Sequence, residues 1–496
     1  MKRQGHEETK EGNTMRARQL RTWRSAWMVL ALAGLGGCAV GPEYVRPAVD
    51  VPAAYKEASA EASWQPAAAQ GERAAGAWWT HFGDARLDEL IEQVAVNNQN
   101  VQAAAASYRQ ALASLETSRA ARWPSVDAAL ASSRGVAAGS GNVPAGAARS
   151  TKSVALTASW EADLWGRIGR NVESAEALAA AGAADLQGAL LSARALLVQN
   201  YLQLRIVDAQ RRLYERSVAE YRRALEITRN RYEAGVAGRS DVVQAEAQLR
   251  TTEAQSLELT LQRARLEHAI AALLGKPPAG FSLAEETALP QPPMIPPGLP
   301  SQLLERRPDI AAAERRMAAA NARIGVAQAA YFPALTIAGT LGYQNDRFAQ
   351  LLTAPHRFWS LGPTLALALF DGGVRSAATA GALAAYDRQV AEYRQSVLEA
   401  FREVEDALVT LRLLAKEAEV QQQALAAAQE LVRLGNNQYL AGTVSYLHVA
   451  TAQTAALAAE RSSLEIHERR LQAGVALLKA IGGDWQIPVV ARAGAD

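Results

Sequence analysis

The feature that most constrains this 496-residue chain is an internal duplication. The segment Asn230–Gly235 is matched by Asn437–Gly442, and Trp123-Pro124 is matched by Phe332-Pro333 at nearly the same spacing. Both copies of a repeat of about 185 residues must form the same structural unit. We therefore predict repeat 1 at residues 84–275 and repeat 2 at 301–483, joined by a proline-rich connector at 276–300 and followed by a tail at 484–496.

Each repeat contains one long stretch of helix-forming sequence. Residues 168–234 and 374–441 lack proline, and apolar residues recur every seven positions, as in Leu190, Leu197 and Leu204. This period is typical of coiled coils. At 1.5 Å per residue each helix would be about 100 Å long, so the sequence predicts long helical hairpins, completed by shorter helices at 241–274 and 446–481.

A shared motif marks the turn of each hairpin. In repeat 1 the motif contains Tyr232 and ends at Gly235, and in repeat 2 it ends at Gly442. Glycine readily adopts the left-handed conformation that ends a helix. The next helices are expected to begin at Ser240-Asp241 and at Ser445, because these residue types are good N-caps.

Between Pro124 and Gly166, and between Pro333 and Gly372-Gly373, the apolar period becomes alternating. We predict four strands, at about 125–134, 153–164, 334–343 and 358–370. Leu361 and Leu365 share one face of the last strand and Thr364 lies on the other, as in a transmembrane barrel strand. Four strands cannot close by themselves, because single-chain bacterial barrels begin at about eight, so several copies must pool their strands.

Aromatic residues bracket the predicted strands. Trp123, Trp165, Tyr331, Phe332 and Phe370 lie at one end, and Phe358 and Trp359 lie at the other. Such girdles are typical of membrane interfaces and favour a membrane sheet. The alternative is a soluble sandwich with one wet face.

The N-terminus has the pattern of a lipoprotein signal. A basic stretch from Arg16 to Arg24 precedes an apolar run, and small residues then lead to Cys38, the single cysteine. We predict a signal peptide at 1–37, a covalent lipid on Cys38, and an extended lipid-anchored segment at 38–83. Met15 is an alternative start.

The sequence lacks the motifs that would indicate an enzyme, a metal site or a nucleic-acid-binding surface. It contains no phosphate loop, no HExxH and no Gly-x-Ser-x-Gly motif, and its six histidines are scattered. Its net charge of +2 does not indicate the strongly basic surface that is typical of nucleic-acid-binding proteins. We therefore expect neither catalysis nor any cofactor beyond the lipid on Cys38. A structural periplasmic coiled-coil lipoprotein remains the alternative to a channel.

The combined features resemble the TolC-like outer membrane factor family, in particular the NodT-type efflux lipoproteins. The duplicated helical and strand hairpins, Trp78–Asp84, Glu305–Ile310 and Phe370–Gly373 are similar to family signatures. The resemblance implies a mainly α fold with a membrane β-barrel portion, in which a homotrimer forms one 12-stranded barrel and a periplasmic helical tunnel. It also implies an outer-membrane location, a periplasmic adaptor, an inner-membrane transporter and efflux of small toxic compounds. Polypeptide secretion is the alternative within the family.

The resemblance further implies a gate at the periplasmic tip. Tyr439 falls on the position of the gate tyrosine and Leu447 on an apolar constriction. His448 and Thr451 occupy positions where the family has aspartates, whereas repeat 1 carries Asp241 at the place equivalent to His448. Asp241 as a helix cap and His448 as an exposed turn residue are the alternatives.

Overall fold

The computed structural model describes residues 39–57, 77–136, 148–293 and 306–483, so the predicted lipid site at Cys38 lies outside the described residues. The described helices are α1 (Ala85–Asn97), α2 (Gln99–Ala120), α3 (Arg167–Glu233), α4 (Arg239–Leu273), α5 (Pro308–Ala329), α6 (Val374–Leu440) and α7 (Tyr446–Ala480). The described strands are β1 (Ser125–Val136), β2 (Ala148–Ala162), β3 (Ala334–Asn345) and β4 (Arg357–Ala366). Helices α3 and α6 are each 67 residues long and occupy equivalent places in the two repeats.

The residues group into two compact units. The first comprises the described parts of Met1–Arg46, Ala111–Ala179 and Arg315–Val390, and it contains the sheet. The second comprises those of Pro47–Gln110, Ala180–Glu314 and Ala391–Asp496, and it contains both helical turns.

The sheet is antiparallel, with strand order β1-β2-β3-β4. Its limits differ from the predicted ones by more than two residues at two places. Strand β2 begins at Ala148, because it pairs with β1 as far as Val136, beyond the alternating residues. Strand β4 ends at Ala366, four residues before the predicted end, because its last partner is Ala334 and the preceding Pro333 has no N–H to extend the ladder.

The N-terminal segment 39–46 is held against the start of α3 and against α5. The side chain of Arg170 is 5% exposed and donates to the Val40 and Gly41 carbonyls at 3.2 and 3.4 Å. Asn321 donates to the Pro42 carbonyl at 2.9 Å. Gly41 has a φ of +110°, and a side chain there would collide with the backbone of Gly325. Hydrogen bonds and close backbone contact therefore fix the position of residues 39–46, which follow Cys38.

The core of the second unit follows the seven-residue period. Leu197 and Leu204 on α3, Val404 on α6 and Leu471 on α7 are at most 1% exposed and belong to one cluster. Burying each such side chain contributes about 1.5–3 kcal/mol. The period predicted from the sequence therefore packs the hairpins against one another. No helix in the described ranges is both long and apolar enough to cross a membrane.

Two arginines, one buried and one partly buried, hold the described part of the connector, residues 276–293. Arg205 forms an ion pair with Glu286 and donates to the Ala288 carbonyl at 2.6 Å. Arg263 binds the fully buried Asp208 at 2.7 Å and donates to the Leu283 carbonyl at 2.6 Å. Burial raises the pKa of Asp208, and the Arg263 guanidinium opposes that shift. Side-chain hydrogen bonds thus replace a strand or helix in fixing this segment.

The start of α4 corrects the predicted cap. The helix begins at Arg239 and its N-cap is Gly238, so Ser240 and Asp241 lie in the first turn. The predicted cap at Ser240 or Asp241 was therefore wrong, because Gly238 already occupies the N-cap position with an extended backbone. In repeat 2, Ser445 is the N-cap of α7, although its side chain makes no capping hydrogen bond.

Candidate functional site

The two helical turns have the same backbone geometry. Gly235 and Gly442 have φ of +73° and +77°, a conformation that favours glycine. In both turns the residue after the glycine donates its N–H to the carbonyl five residues earlier, at 2.9 and 3.0 Å. The duplicated motif therefore builds the same turn twice.

The aromatic cluster beside these turns centres on Tyr439, which is 8% exposed. Its ring packs edge-on against Tyr446, with 5.7 Å between centroids. The guanidinium of Arg231, at the end of α3, lies 4.5 Å from the centroid of the Tyr439 ring. Arg231 also donates to the Tyr439 carbonyl at 3.2 Å. Tyr439 is thus bound to the end of the other long helix by a cation–π contact and a hydrogen bond.

The remaining polar groups of this cluster are buried. The hydroxyls of Tyr439 and Tyr446 have no hydrogen-bond partner in the described structure. Burial raises the pKa of Tyr446 to about 12, with Tyr221 and Tyr439 adding smaller contributions. A cavity of about 560 Å³ adjoins the cluster, lined in part by Ile227, Val432 and Leu440. Tyr439 therefore lies between a packed core and an open space.

The other predicted gate residues in α7 have different environments. Leu447 is 57% exposed, so most of its apolar side chain lies outside the packed core. The His448 ring lies against Gly435 of α6, where an added methyl group would come within 3.5 Å of it. The hydroxyl of Thr451 donates to the Leu447 carbonyl at 2.8 Å, a bond within the helix. Thr451 thus supplies no charge in place of the family's aspartate.

The two repeats are not equivalent beside their helical turns. Tyr232 is 45% exposed, whereas its counterpart Tyr439 is buried. Asp241 is partly buried in the first turn of α4, where a carboxylate suits the helix dipole. No hydrogen bond or ion pair in the described parts of the chain joins Asp241 to His448.

The sheet carries two chemically different faces. The pairing register places apolar side chains together on one face: Val126, Ala128, Leu130, Val154, Leu156, Ala158, Trp160, Leu335, Ile337, Leu341, Trp359, Leu361, Pro363 and Leu365. The other face carries small and polar residues such as Thr157, Thr340 and Thr364. Leu361 and Leu365 are 71% and 65% exposed. The larger apolar residues therefore cover a face that this chain leaves open.

Aromatic residues lie at both ends of this sheet. Trp165 stacks on Phe332, with centroids 4.7 Å apart, at the end where β2 stops and β3 starts. Phe358 and Trp359 lie near the opposite end, at the start of β4. Phe370 follows β4 rather than belonging to it, because the strand ends at Ala366.

The outer membrane efflux protein family model matches residues 90–276 and 299–483, one match in each repeat. The chain belongs to this family. Nodulation protein T of Rhizobium leguminosarum bv. trifolii is 32% identical to this efflux-family protein, over 93% of this chain and 97% of that protein. The pyoverdine export outer membrane protein OpmQ of Pseudomonas aeruginosa is 32% identical, covering 82% of this chain and 87% of that protein.

Solved structures carry the same fold. The outer-membrane channel OprN superposes on this efflux-family protein with a TM-score of 0.83, at 32% identity, over 90% of this chain and 99% of that chain. CusC gives a TM-score of 0.79 at 25% identity. The family, fold class and outer-membrane location predicted from the sequence are confirmed. The relatives are channel and transport proteins rather than enzymes.

Two residues beside the helical turns of this efflux-family protein, Arg231 and Tyr446, were not predicted from the sequence. Arg231 lies beside the motif tyrosine of repeat 1, but the sequence does not show that its side chain crosses to Tyr439. Tyr446 opens α7 and could have been found as an aromatic residue close to Tyr439 along the chain. Within the described ranges, no group of three or more His, Cys, Asp or Glu side chains could hold a metal ion.

Proposed function

We propose that this efflux-family protein is the exit duct of a tripartite efflux system in the outer membrane. A homotrimer pools four strands from each copy into one barrel, and the helical hairpins surround a periplasmic passage that meets an adaptor protein and an inner-membrane transporter. The lipid on Cys38 anchors each copy in the outer membrane. The observation that carries the proposal is the apolar, exposed face shared by all four strands, beside a small and polar face.

The free edges of the sheet support the oligomer. Within the described residues β1 and β4 each pair on one side only, which leaves two rows of backbone groups without partners from the described sheet. In a membrane such groups must be paired internally, so only closed barrels span it with strands. Joining β4 of one copy to β1 of the next satisfies both rows and closes the sheet.

Small amphiphilic or toxic compounds are the proposed substrates. The name of one relative, the toluene efflux pump outer membrane protein of Pseudomonas putida, 31% identical over 93% of this chain, describes such transport. Another relative, CusC of Escherichia coli, is named for cation efflux. Because all exported compounds pass through one duct, we assign the choice of substrate to the transporter. Secretion of a polypeptide remains the second candidate within the family.

The tip cluster is the proposed gate. Arg231 holds Tyr439 to the neighbouring long helix, and Leu447 narrows the passage. Asp241 supplies a carboxylate ring in the trimer, and His448 and Thr451 lie where the family has aspartates. Carboxylate rings favour cations, so this gate takes its cation preference from repeat 1 rather than repeat 2.

Conductance of the purified protein in planar bilayers tests the proposal. Tyr439→Ala should raise the single-channel conductance, because it removes the aromatic contacts that hold the tip together. Tyr232→Ala is the matched control, since this tyrosine has the same place in the repeat but is exposed, and it should leave conductance unchanged. Asp241→Asn should lower cation selectivity measured by reversal potentials.

Three results would contradict the proposal. No conductance in any preparation would favour the structural lipoprotein. Equal effects of the two tyrosine substitutions would remove Tyr439 from the gate. A deletion strain that secretes one polypeptide poorly, but keeps its resistance to toxic amphiphiles, would establish the secretion alternative.

A further inference from the structure

The apolar face of the sheet ends in a band of positive charge. We propose that Arg134, Lys152 and Arg357 bind phosphate-bearing lipid headgroups of the outer leaflet at this end. This end, here called the distal end, carries the β1–β2 and β3–β4 connections, whereas the helices join the sheet at the opposite end. The inference rests on the proposed function, because it requires the apolar face to lie in a bilayer.

The pairing register places these three cations on the apolar face. Lys152 and Val154 lie two residues apart on β2, so their side chains point to the same side of the sheet. Arg357 precedes Trp359 on β4 by the same interval, and Arg134 follows Leu130 by two such intervals on β1. On β2 and β4 the cation is the next residue of this face after the last apolar side chain, and on β1 Ser132 lies between Leu130 and Arg134.

Their neighbours in the register are uncharged. Lys152 lies opposite Ser132 on β1 and Asn345 on β3, and Arg357 lies opposite Tyr343. No ion pair within the described residues neutralises Arg134 or Arg357, and both are exposed. Their charges are therefore available to a partner outside the chain.

The connections at the distal end do not supply compensating charge. Residues 137–147 of the β1–β2 connection contain no charged residue in the sequence. The β3–β4 connection has Asp346 followed directly by Arg347. The Lys152 ammonium lies 5.8 Å from the centroid of the Phe348 ring, which is 65% exposed. The distal end thus combines net positive charge with exposed aromatic surface.

This combination matches a phosphorylated lipid at the edge of a bilayer. The acyl chains would cover the apolar face, which includes Leu156 and Trp359, and the headgroup would then lie at the depth of the cations. Arginine forms paired, charge-assisted hydrogen bonds with phosphate oxygens. Basic residues near an anionic lipid surface add favourable binding free energy, as polybasic segments show. Lipid phosphate therefore fits the band better than an uncharged headgroup.

Closure of the barrel would make the band continuous. Arg134 is on β1 and Arg357 on β4, the two edge strands of the sheet. When β4 of one copy pairs with β1 of the next, these arginines lie on adjacent strands of the closed sheet. Lys152 of each copy completes the belt between seams.

Lipid binding by the full-length protein in detergent micelles tests the inference. Native mass spectrometry would count bound molecules during titration with diphosphorylated lipid A and with its dephosphorylated form. Wild-type protein should bind the phosphorylated lipid about tenfold more tightly or better. The combined variant Arg134→Gln, Lys152→Gln, Arg357→Gln should lose that preference. The control variant Arg109→Gln, Arg265→Gln, Lys416→Gln removes the same charges from exposed helix positions and should keep it.

Several outcomes would overturn the inference. If the combined variant keeps its preference for the phosphorylated lipid, the three cations do not bind the phosphate. If the control variant loses that preference equally, the effect comes from the net charge of the protein and not from these positions. Displacement of the lipid by millimolar inorganic phosphate would indicate a free-anion site. Trimer mobility on gels and bilayer conductance of the same preparations test the proposed function separately, since lipid binding in micelles requires neither insertion nor transport.

Discussion

Replacing Leu361 by arginine tests whether the apolar face of the sheet lies in the membrane. Leu361 lies four residues from Arg357 and four from Leu365. At about 3.4 Å per residue, about 14 Å of strand separates it from either position. With a strand tilt of about 40° this corresponds to about 10 Å of depth on each side, so Leu361 lies near the middle of an apolar band about 25 Å tall.

The expected cost follows from this depth. An arginine near the bilayer midplane costs about 2–4 kcal/mol, whereas one near the interface costs about 0–1 kcal/mol. Leu361→Arg should therefore be much more damaging than Leu365→Arg, although both remove a leucine from the same face. Leu361 is 71% exposed in the chain and faces Gly339 across the ladder. The substitution therefore removes little packing within the protein.

Folding from urea into lipid vesicles measures this effect. A loss of 2–4 kcal/mol lowers the folding equilibrium constant about 30- to 800-fold. Thr364→Arg, on the opposite face, should change stability little. The reasoning fails if Leu361→Arg and Leu365→Arg cost the same, and the faces are inverted if Thr364→Arg is the most damaging of the three.

Three further predictions concern the tip and the N-terminal segment. Arg231→Ala should increase the time the channel spends open, because it removes the cation–π contact and the hydrogen bond to Tyr439. Unchanged single-channel open times would show that Arg231 does not hold the gate closed. Arg170→Ala should expose residues 39–46 to protease by removing two hydrogen bonds to their carbonyls, whereas Arg119→Ala, which breaks only exposed ion pairs, should not. Because burial raises the pKa of Tyr446 to about 12, its contribution to stability should be complete below pH 10 and should decline by about 2–3 kcal/mol as the pH rises to 12. Tyr446→Phe should reduce this alkaline decline, and a wild-type stability that is flat over this range would contradict the assignment.

Much of the architecture was accessible from the sequence because it depends on periods and duplications. The seven-residue spacing gave the packed faces of the long helices, and Leu197 and Leu204 are indeed fully or almost fully buried. The paired motifs at Gly235 and Gly442 gave two turns of the same geometry. Alternation gave the faces of the strands, since side chains of a strand point to opposite sides by backbone geometry alone.

The limits of the elements depended on partners that lie far away in sequence. Strand β4 ends at Ala366 because β3 offers no pairing partner beyond Ala334. The continued alternation at Leu367 and Leu369 could not reveal this, since it describes one strand and not its neighbour. The start of α4 likewise follows from the geometry of the turn rather than from the capping preference of Ser240.

Taken alone, the sequence determined the repeated units, the helical and strand periods and the family, because these depend on residue types at fixed spacings along one chain. Only the tertiary structure decided which duplicated residues became different, as Tyr439 is buried under Arg231 while Tyr232 stays exposed. It also brought Arg134, Lys152 and Arg357 to one end of one face. The physical reason is that burial and charge density depend on distances between side chains from separate strands and helices, and sequence spacing does not fix those distances.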